Sequence, residues 1–117
     1  MTYSEKLLDY FQNPRCVGEI ADADRTAEVS NPVCGDVMKL WIKLDGGRIS
    51  EARFKAQGCP AAIATSSFAT EMIVGLDLDS ARSITREQIA DALGGLPPSK
   101  IHCSVLASDA IRAALEG

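Results

Sequence analysis

Four cysteines stand far apart in the chain, at Cys16, Cys34, Cys59 and Cys103, and three of them have neighbours that suggest chemistry. Cys34 lies in NPVCGDV, two residues before Asp36. Cys59 lies in QGCPAAIATSS, where small side chains leave room for something bulky beside the sulfur. Cys103 lies in KIHCSVLASDAI, directly after His102 and three residues after Lys100. No two cysteines form a C-x-x-C pair, which excludes a thioredoxin-type motif and a zinc ribbon. Buried thiols, reactive thiols, or a metal site assembled from distant segments remain. Thiolates with one imidazole and one carboxylate suit zinc, iron or an iron–sulfur cluster. In such a set Asp36 is the hard ligand and gives a labile corner that a thiolate would not. A cysteine-protease reading fails for want of a group to orient His102 as a base. Cys16 has no comparable neighbours and reads as an ordinary loop thiol.

The elements that must carry these residues are legible in the hydrophobic pattern. Thr2 and Glu5 have the spacing of a capping box, and Leu7, Leu8 and Phe11 follow on one helical face until Asn13-Pro14. Residues 26–29 form a first strand. Met38, Leu40, Ile42 and Leu44 alternate with polar positions in a second strand, Asp45-Gly46-Gly47 makes a hairpin turn, and residues 48–56 form a third, with Ala52, Phe54 and Ala56 on one face. Pro60 to Val74 reads as a long helix, with Cys59 at its N-cap and Gly75 just past its end. A helical turn follows Asp77. Thr85 and Gln88 form a capping box, with Ile84 and Ile89 as its hydrophobic staple, on a helix ending at Gly94-Gly95. Leu96-Pro97-Pro98 forces an extended linker. A last helix starts near His102 or Cys103. Strands followed by helices give an α+β fold, a three-stranded antiparallel meander with helices on one face. Cys34 then enters a strand, while Cys59 and Cys103 sit at helix starts, where free N–H groups and the helix dipole favour thiolate.

The bulk properties narrow the function. A chain of 117 residues with 46% hydrophobic content supports one domain, residues 1–117. A net charge of -4 argues against nucleic acid or an anionic membrane as an electrostatic partner. Lys39, Lys43, Arg48, Arg53 and Lys55 read as a solvated sheet face, or else as a docking face for an acidic partner. No apolar run is long enough to span a membrane and no signal peptide is present, so the expected location is cytoplasmic.

The motifs C-G-D, then G-C-x-A-A-I-A-T-S-S, then L-P-P-x-K-I-H-C-S resemble the IscU/NifU family of iron–sulfur cluster assembly scaffolds, in order and spacing, over nearly the whole chain. The resemblance implies a SufE/NifU-like fold and a scaffold, not an enzyme. Cys34, Cys59 and Cys103 would hold a nascent, transient [2Fe–2S] cluster and its iron, with Asp36 tuning stability. Zinc would occupy the same site, with Asp36 or His102 as the fourth ligand. Sulfur would come as persulfide from a cysteine desulfurase, with Cys103 as acceptor and Lys100 close by. Apo iron–sulfur proteins would receive the cluster, and an iron-delivering, frataxin-type protein would be a further partner. Two departures stand out. Pro60 occupies the place of the family's second glycine. Ser99 replaces valine in the chaperone-recognition stretch, which argues against a dedicated chaperone. A SufU-like, zinc-dependent sulfurtransferase is the alternative, but the insertion of roughly twenty residues typical of that branch has no room between Gly75 and Lys100.

Overall fold

The alternation of Met38, Leu40 and Ile42 with Lys39, Trp41 and Lys43 makes one strand that must be covered on a single face, and the fold grows around it. In the computed structural model, which describes residues 3–31 and 35–116, the order is α1 (Glu5–Gln12), β1 (Arg25–Ser30), β2 (Val37–Asp45), β3 (Arg48–Gln57), α2 (Pro60–Ile73), α3 (Leu78–Arg82), α4 (Arg86–Ala92), a 3₁₀ turn (Pro98–Lys100) and α5 (His102–Leu115). The three strands form an antiparallel sheet in the order β1-β2-β3. Gly46 and Gly47 join β2 to β3 with φ of 59° and 81°, a left-handed pair that a tight hairpin needs. The fold class is the one expected from the sequence.

One irregularity escapes a period-two reading. Lys43 pairs with Glu51 but Leu44 pairs with Ile49, so Ser50 is an extra residue in β3. This bulge turns Ile49 to the same face as Ala52, and both are buried. On the opposite face, Lys43 pairs with Asp22, Arg53 with Glu51, and Lys55 with Glu19. Such exposed pairs add little stability. They do partner these cations within the chain, which favours the solvated-face reading over a docking face.

Helix α2 packs on β3 and α5, and α5 packs on β1 and β2. Ala61, Ala62, Ala64, Ala69 and Ile73 are buried along α2, together with Thr65, Ser66, Ser67 and Thr70. Small side chains let this helix approach its neighbours closely, and some of its hydroxyls bond within the helix and to the loop after α1. Thr70 donates to the Ser66 carbonyl at 2.7 Å, and Ser67 donates to the Arg15 carbonyl at 2.9 Å.

The termini of the elements bring corrections. Helix α1 is capped by Ser4, whose hydroxyl accepts from the Leu7 N–H at 3.0 Å. The expected cap, Thr2, lies outside the described residues. The long helix stops at Ile73, with Val74 as an extended C-cap. The capping box of α4 is present as expected: the Gln88 N–H donates to the Thr85 hydroxyl at 3.1 Å, and the Thr85 N–H to Gln88 Oε1 at 2.8 Å. The stretch expected to be an extended linker instead contains the 3₁₀ turn Pro98–Lys100, closed by the Lys100 N–H on the Pro97 carbonyl at 2.8 Å. Proline at the first position of such a turn gives up an N–H that would have had no partner. The turn leads straight into α5. Cys16 also does more than a plain loop thiol: at φ 63° its carbonyl accepts from Phe54 N–H at 2.8 Å, and Gly18 N–H donates to the Phe54 carbonyl at 2.9 Å. Residues 16–18 thereby cover part of the outer edge of β3.

Candidate metal and cluster centre

Three element junctions meet at one end of the sheet. Cys59 is the N-cap residue of α2, Cys103 is the second residue of α5, and Asp36 directly precedes β2. The Asp36 backbone is held by a closed loop base: the Asn31 N–H donates to the Asp36 carbonyl, and the Gly35 N–H to the Asn31 carbonyl, both at 2.8 Å. Cys34, within that loop, lies outside the described residues.

The side chains converge. The Cys59 and Cys103 sulfurs are 4.0 Å apart. A carboxylate oxygen of Asp36 and these two sulfurs all lie within 4.8 Å of one another. Asp36 is 4% exposed, and its Oδ2 is buried with no hydrogen-bond partner among the described residues. His102 Nε2 lies 3.5 Å from that oxygen, with its side chain 31% exposed. Four of the six residues singled out from the sequence are therefore neighbours. Lys100 is the fifth: the Cys59 sulfur, through charge and a hydrogen bond, raises the lysine above its ordinary range, with help from Tyr3 and Cys103.

Electrostatics here run against one expectation. A helix start was expected to favour thiolate, yet the Cys103 thiol is pushed up from 9.0 to about 12. Burial is the main cause, and Cys59 and Asp36 add negative charge beside it, while Lys100 pulls the other way. The dipole of one helix does not offset the loss of water and the approach of like charges. Without metal, Cys103 is a protonated thiol at neutral pH.

The donor set fits a thiophilic cation. Two sulfurs and an oxygen of the buried Asp36 carboxylate lie within one ion's reach, and Oδ2 of that carboxylate accepts no hydrogen bond among the described residues, a desolvation cost that a bound cation relieves. Zinc and iron both accept such ligands. Metal binding displaces the thiol protons, so the high Cys103 value describes the metal-free protein alone.

Over residues 2–117 the sequence matches the family described as NifU-like N terminal domain. The chain belongs to this family. Among its relatives, the iron-sulfur cluster assembly scaffold protein IscU 1 of Archaeoglobus fulgidus is 56% identical over 113 residues, covering 97% of this chain and 74% of the relative. The protein of the same description, IscU, from Escherichia coli K12 is 52% identical over 119 residues, covering 98% and 92%. Among solved structures, FiSufU of Fervidobacterium islandicum AW-1, described as an iron-sulfur cluster assembly scaffold protein for the SUF system, superposes with a TM-score of 0.81 at 25% identity, covering 97% of this chain and 96% of that one. An N-terminal NifU-like protein from Brucella abortus has the same fold, with a TM-score of 0.77 at 18% identity over 97% and 91% of the two chains. This NifU-like N-terminal domain is thus an IscU/NifU-type chain in sequence and in fold. Among its described residues, no helix is long and apolar enough to cross a membrane.

Sequence reasoning passed over Gly58. An ideal Cβ built there would lie 2.3 Å from Asp36 Oδ1. Its only signal was the glycine preceding Cys59, noted for the room it leaves near the sulfur and not for which group uses that room.

Proposed function

We propose that this chain, acting as one unit over residues 1–117, is a scaffold on which nascent [2Fe–2S] clusters are assembled and from which they pass to apo-proteins. The supporting observation is the convergence of the Asp36 carboxylate with the Cys59 and Cys103 sulfurs at the end of the sheet. Family membership and the naming of the 50–56% identical relatives as iron–sulfur cluster assembly scaffolds support the same reading. Cys34, Asp36, Cys59 and Cys103 hold the cluster, and His102 competes with Asp36 for the fourth position on a single zinc ion.

Sulfur arrives as persulfide on a cysteine desulfurase. The Cys103 thiolate attacks the outer sulfur of the donor; a sulfur–sulfur bond forms on Cys103, the donor's own bond breaks, and the donor cysteine leaves as thiolate. Cys103 is 1% exposed and burial pushes its thiol up, so the junction opens and the thiol loses its proton to solvent as the donor docks. Reducing the transferred sulfur to sulfide takes two electrons from an external thiol or electron carrier. The Lys100 ammonium, beside Cys59, balances negative charge as thiolate and sulfide accumulate. Iron from a delivery protein of the frataxin type completes the cargo. Ser99 interrupts the stretch that a dedicated chaperone would read, which argues against dependence on one.

Anaerobic reconstitution with iron, cysteine and a desulfurase tests the proposal. The expected result is a [2Fe–2S] absorbance spectrum that is lost in Cys59→Ser and Cys103→Ser and transferred to an apo-ferredoxin. Stoichiometric zinc with persulfide turnover and no cluster absorbance would overturn it in favour of a zinc-dependent sulfurtransferase.

A further inference from the structure

We propose that Gly58 is a positioning residue of this centre: the absence of a side chain there is what lets the Asp36 carboxylate lie beside the Cys59 and Cys103 sulfurs. Its functional consequence rests on Asp36 being a ligand; the contact itself does not.

A Cβ at Gly58 would lie 2.3 Å from Asp36 Oδ1, 2.7 Å from its Cγ and 3.1 Å from Ala62 Cβ. These separations are far inside van der Waals contact, so something must move. The backbone of Asp36 is poorly placed to do so, held at the loop base by the Asn31 N–H and followed at once by β2. Nor can Gly58 retreat easily, lying between the end of β3 and the N-cap of α2. The carboxylate is what remains free to move, by rotating away from the sulfurs. Gly35, Gly46, Gly47, Gly75 and Gly95 differ, since a Cβ at any of them would meet nothing within 4 Å. Those positions use glycine for backbone conformation alone. Gly58 has φ of 150° and so combines that demand with a side chain pressed against the missing atom.

A double-mutant cycle separates the two demands. In cobalt and zinc titrations of the full chain, Gly58→Ala is expected to weaken binding about 10- to 100-fold, as loss of a supporting contact does. Its cobalt spectrum should shift toward that of Asp36→Ala. In the Asp36→Ala background, the same glycine substitution should add little to the loss of affinity, since the clashing carboxylate atoms are gone and only the milder contact with Ala62 Cβ remains. An equal loss in both backgrounds, or no loss in either, would overturn the proposal.

The melting temperatures of the metal-free proteins supply a second readout. Gly58→Ala should melt lower than the parent, and Asp36→Ala added to it should recover part of the loss. No recovery, or failure of the double variant to fold, would overturn the proposal. If Asp36→Ala alone leaves metal affinity unchanged while this recovery is seen, the ligand reading of Asp36 fails and the Gly58 contact stands.

Discussion

The sulfurs of Cys59 and Cys103 lie 4.0 Å apart although the two residues begin different helices, α2 and α5. This spacing suits two thiolates on one metal ion, since zinc–sulfur bonds of about 2.3 Å at a tetrahedral centre separate the sulfurs by little less. Cys59→Ser or Cys103→Ser is expected to weaken zinc binding by at least about 100-fold. Competition with a chromophoric chelator reads this directly. An affinity within a few-fold of the parent would remove that cysteine from the ligand set.

Proton displacement gives the binding a pH dependence. Cys103 is a thiol in the metal-free protein at neutral pH. Zinc affinity should therefore rise with pH between about 6 and 8, by up to about tenfold per unit for each thiol proton released. Calorimetry in buffers of different ionisation enthalpy counts those protons, and a count of zero would contradict the assignment.

Stability of the metal-free chain should show the opposite trend at higher pH. The folded protein holds the Cys103 proton more tightly than the unfolded chain does, with values of about 12 and 9.0. This contribution is complete below about pH 9 and is lost as pH rises toward 12. Urea denaturation should show the decline between those values, and Cys103→Ala should flatten it. Equal pH profiles for the two proteins would contradict the burial argument.

Asp36→Ala should lengthen the life of an assembled cluster in air and slow its transfer to an apo-ferredoxin. A carboxylate bonds iron less covalently than thiolate and yields its place more readily to an incoming cysteine. Decay of cluster absorbance compares the two proteins. Faster decay in the variant would make Asp36 a required ligand and not a release point.

Zinc should protect amides at all three junctions together. Hydrogen exchange of residues 35–37, 57–60 and 98–103 is expected to slow on metal binding, while the Gly46-Gly47 hairpin does not change. Uniform protection along the chain, or none at the junctions, would contradict a site assembled from these segments.

Much of this architecture was legible because β2 alternates strictly and because α4 carries a complete capping box in Thr85 and Gln88. The Ser50 bulge was not. Its trace in residues 48–56 is the change of apolar parity between Ile49 and Ala52, and only the register against β2 shows that Ser50 is the extra residue. The Pro98–Lys100 turn is hidden in the sequence because proline forbids a hydrogen bond inside a helix yet fits the first position of a turn, where none is needed. Cys59 and Cys103 could be placed at helix starts from Pro60 and the last apolar stripe. What local sequence did not show was how closely Asp36 approaches them. That approach depends on the gap left at Gly58, a contact across twenty-two positions of sequence.

The hairpin at Gly46-Gly47 has a practical use. It closes the end of β2 opposite Asp36, and nine residues of strand separate them, about 30 Å at the usual rise. Both glycines hold left-handed φ and are kept, so the attachment point is the exposed Asp45 beside them. A fluorophore, affinity peptide or surface tether attached at this turn would leave the cysteine end facing solution. Reconstitution and transfer could then be followed on immobilised protein, one molecule at a time, with the reporter held outside the chemistry.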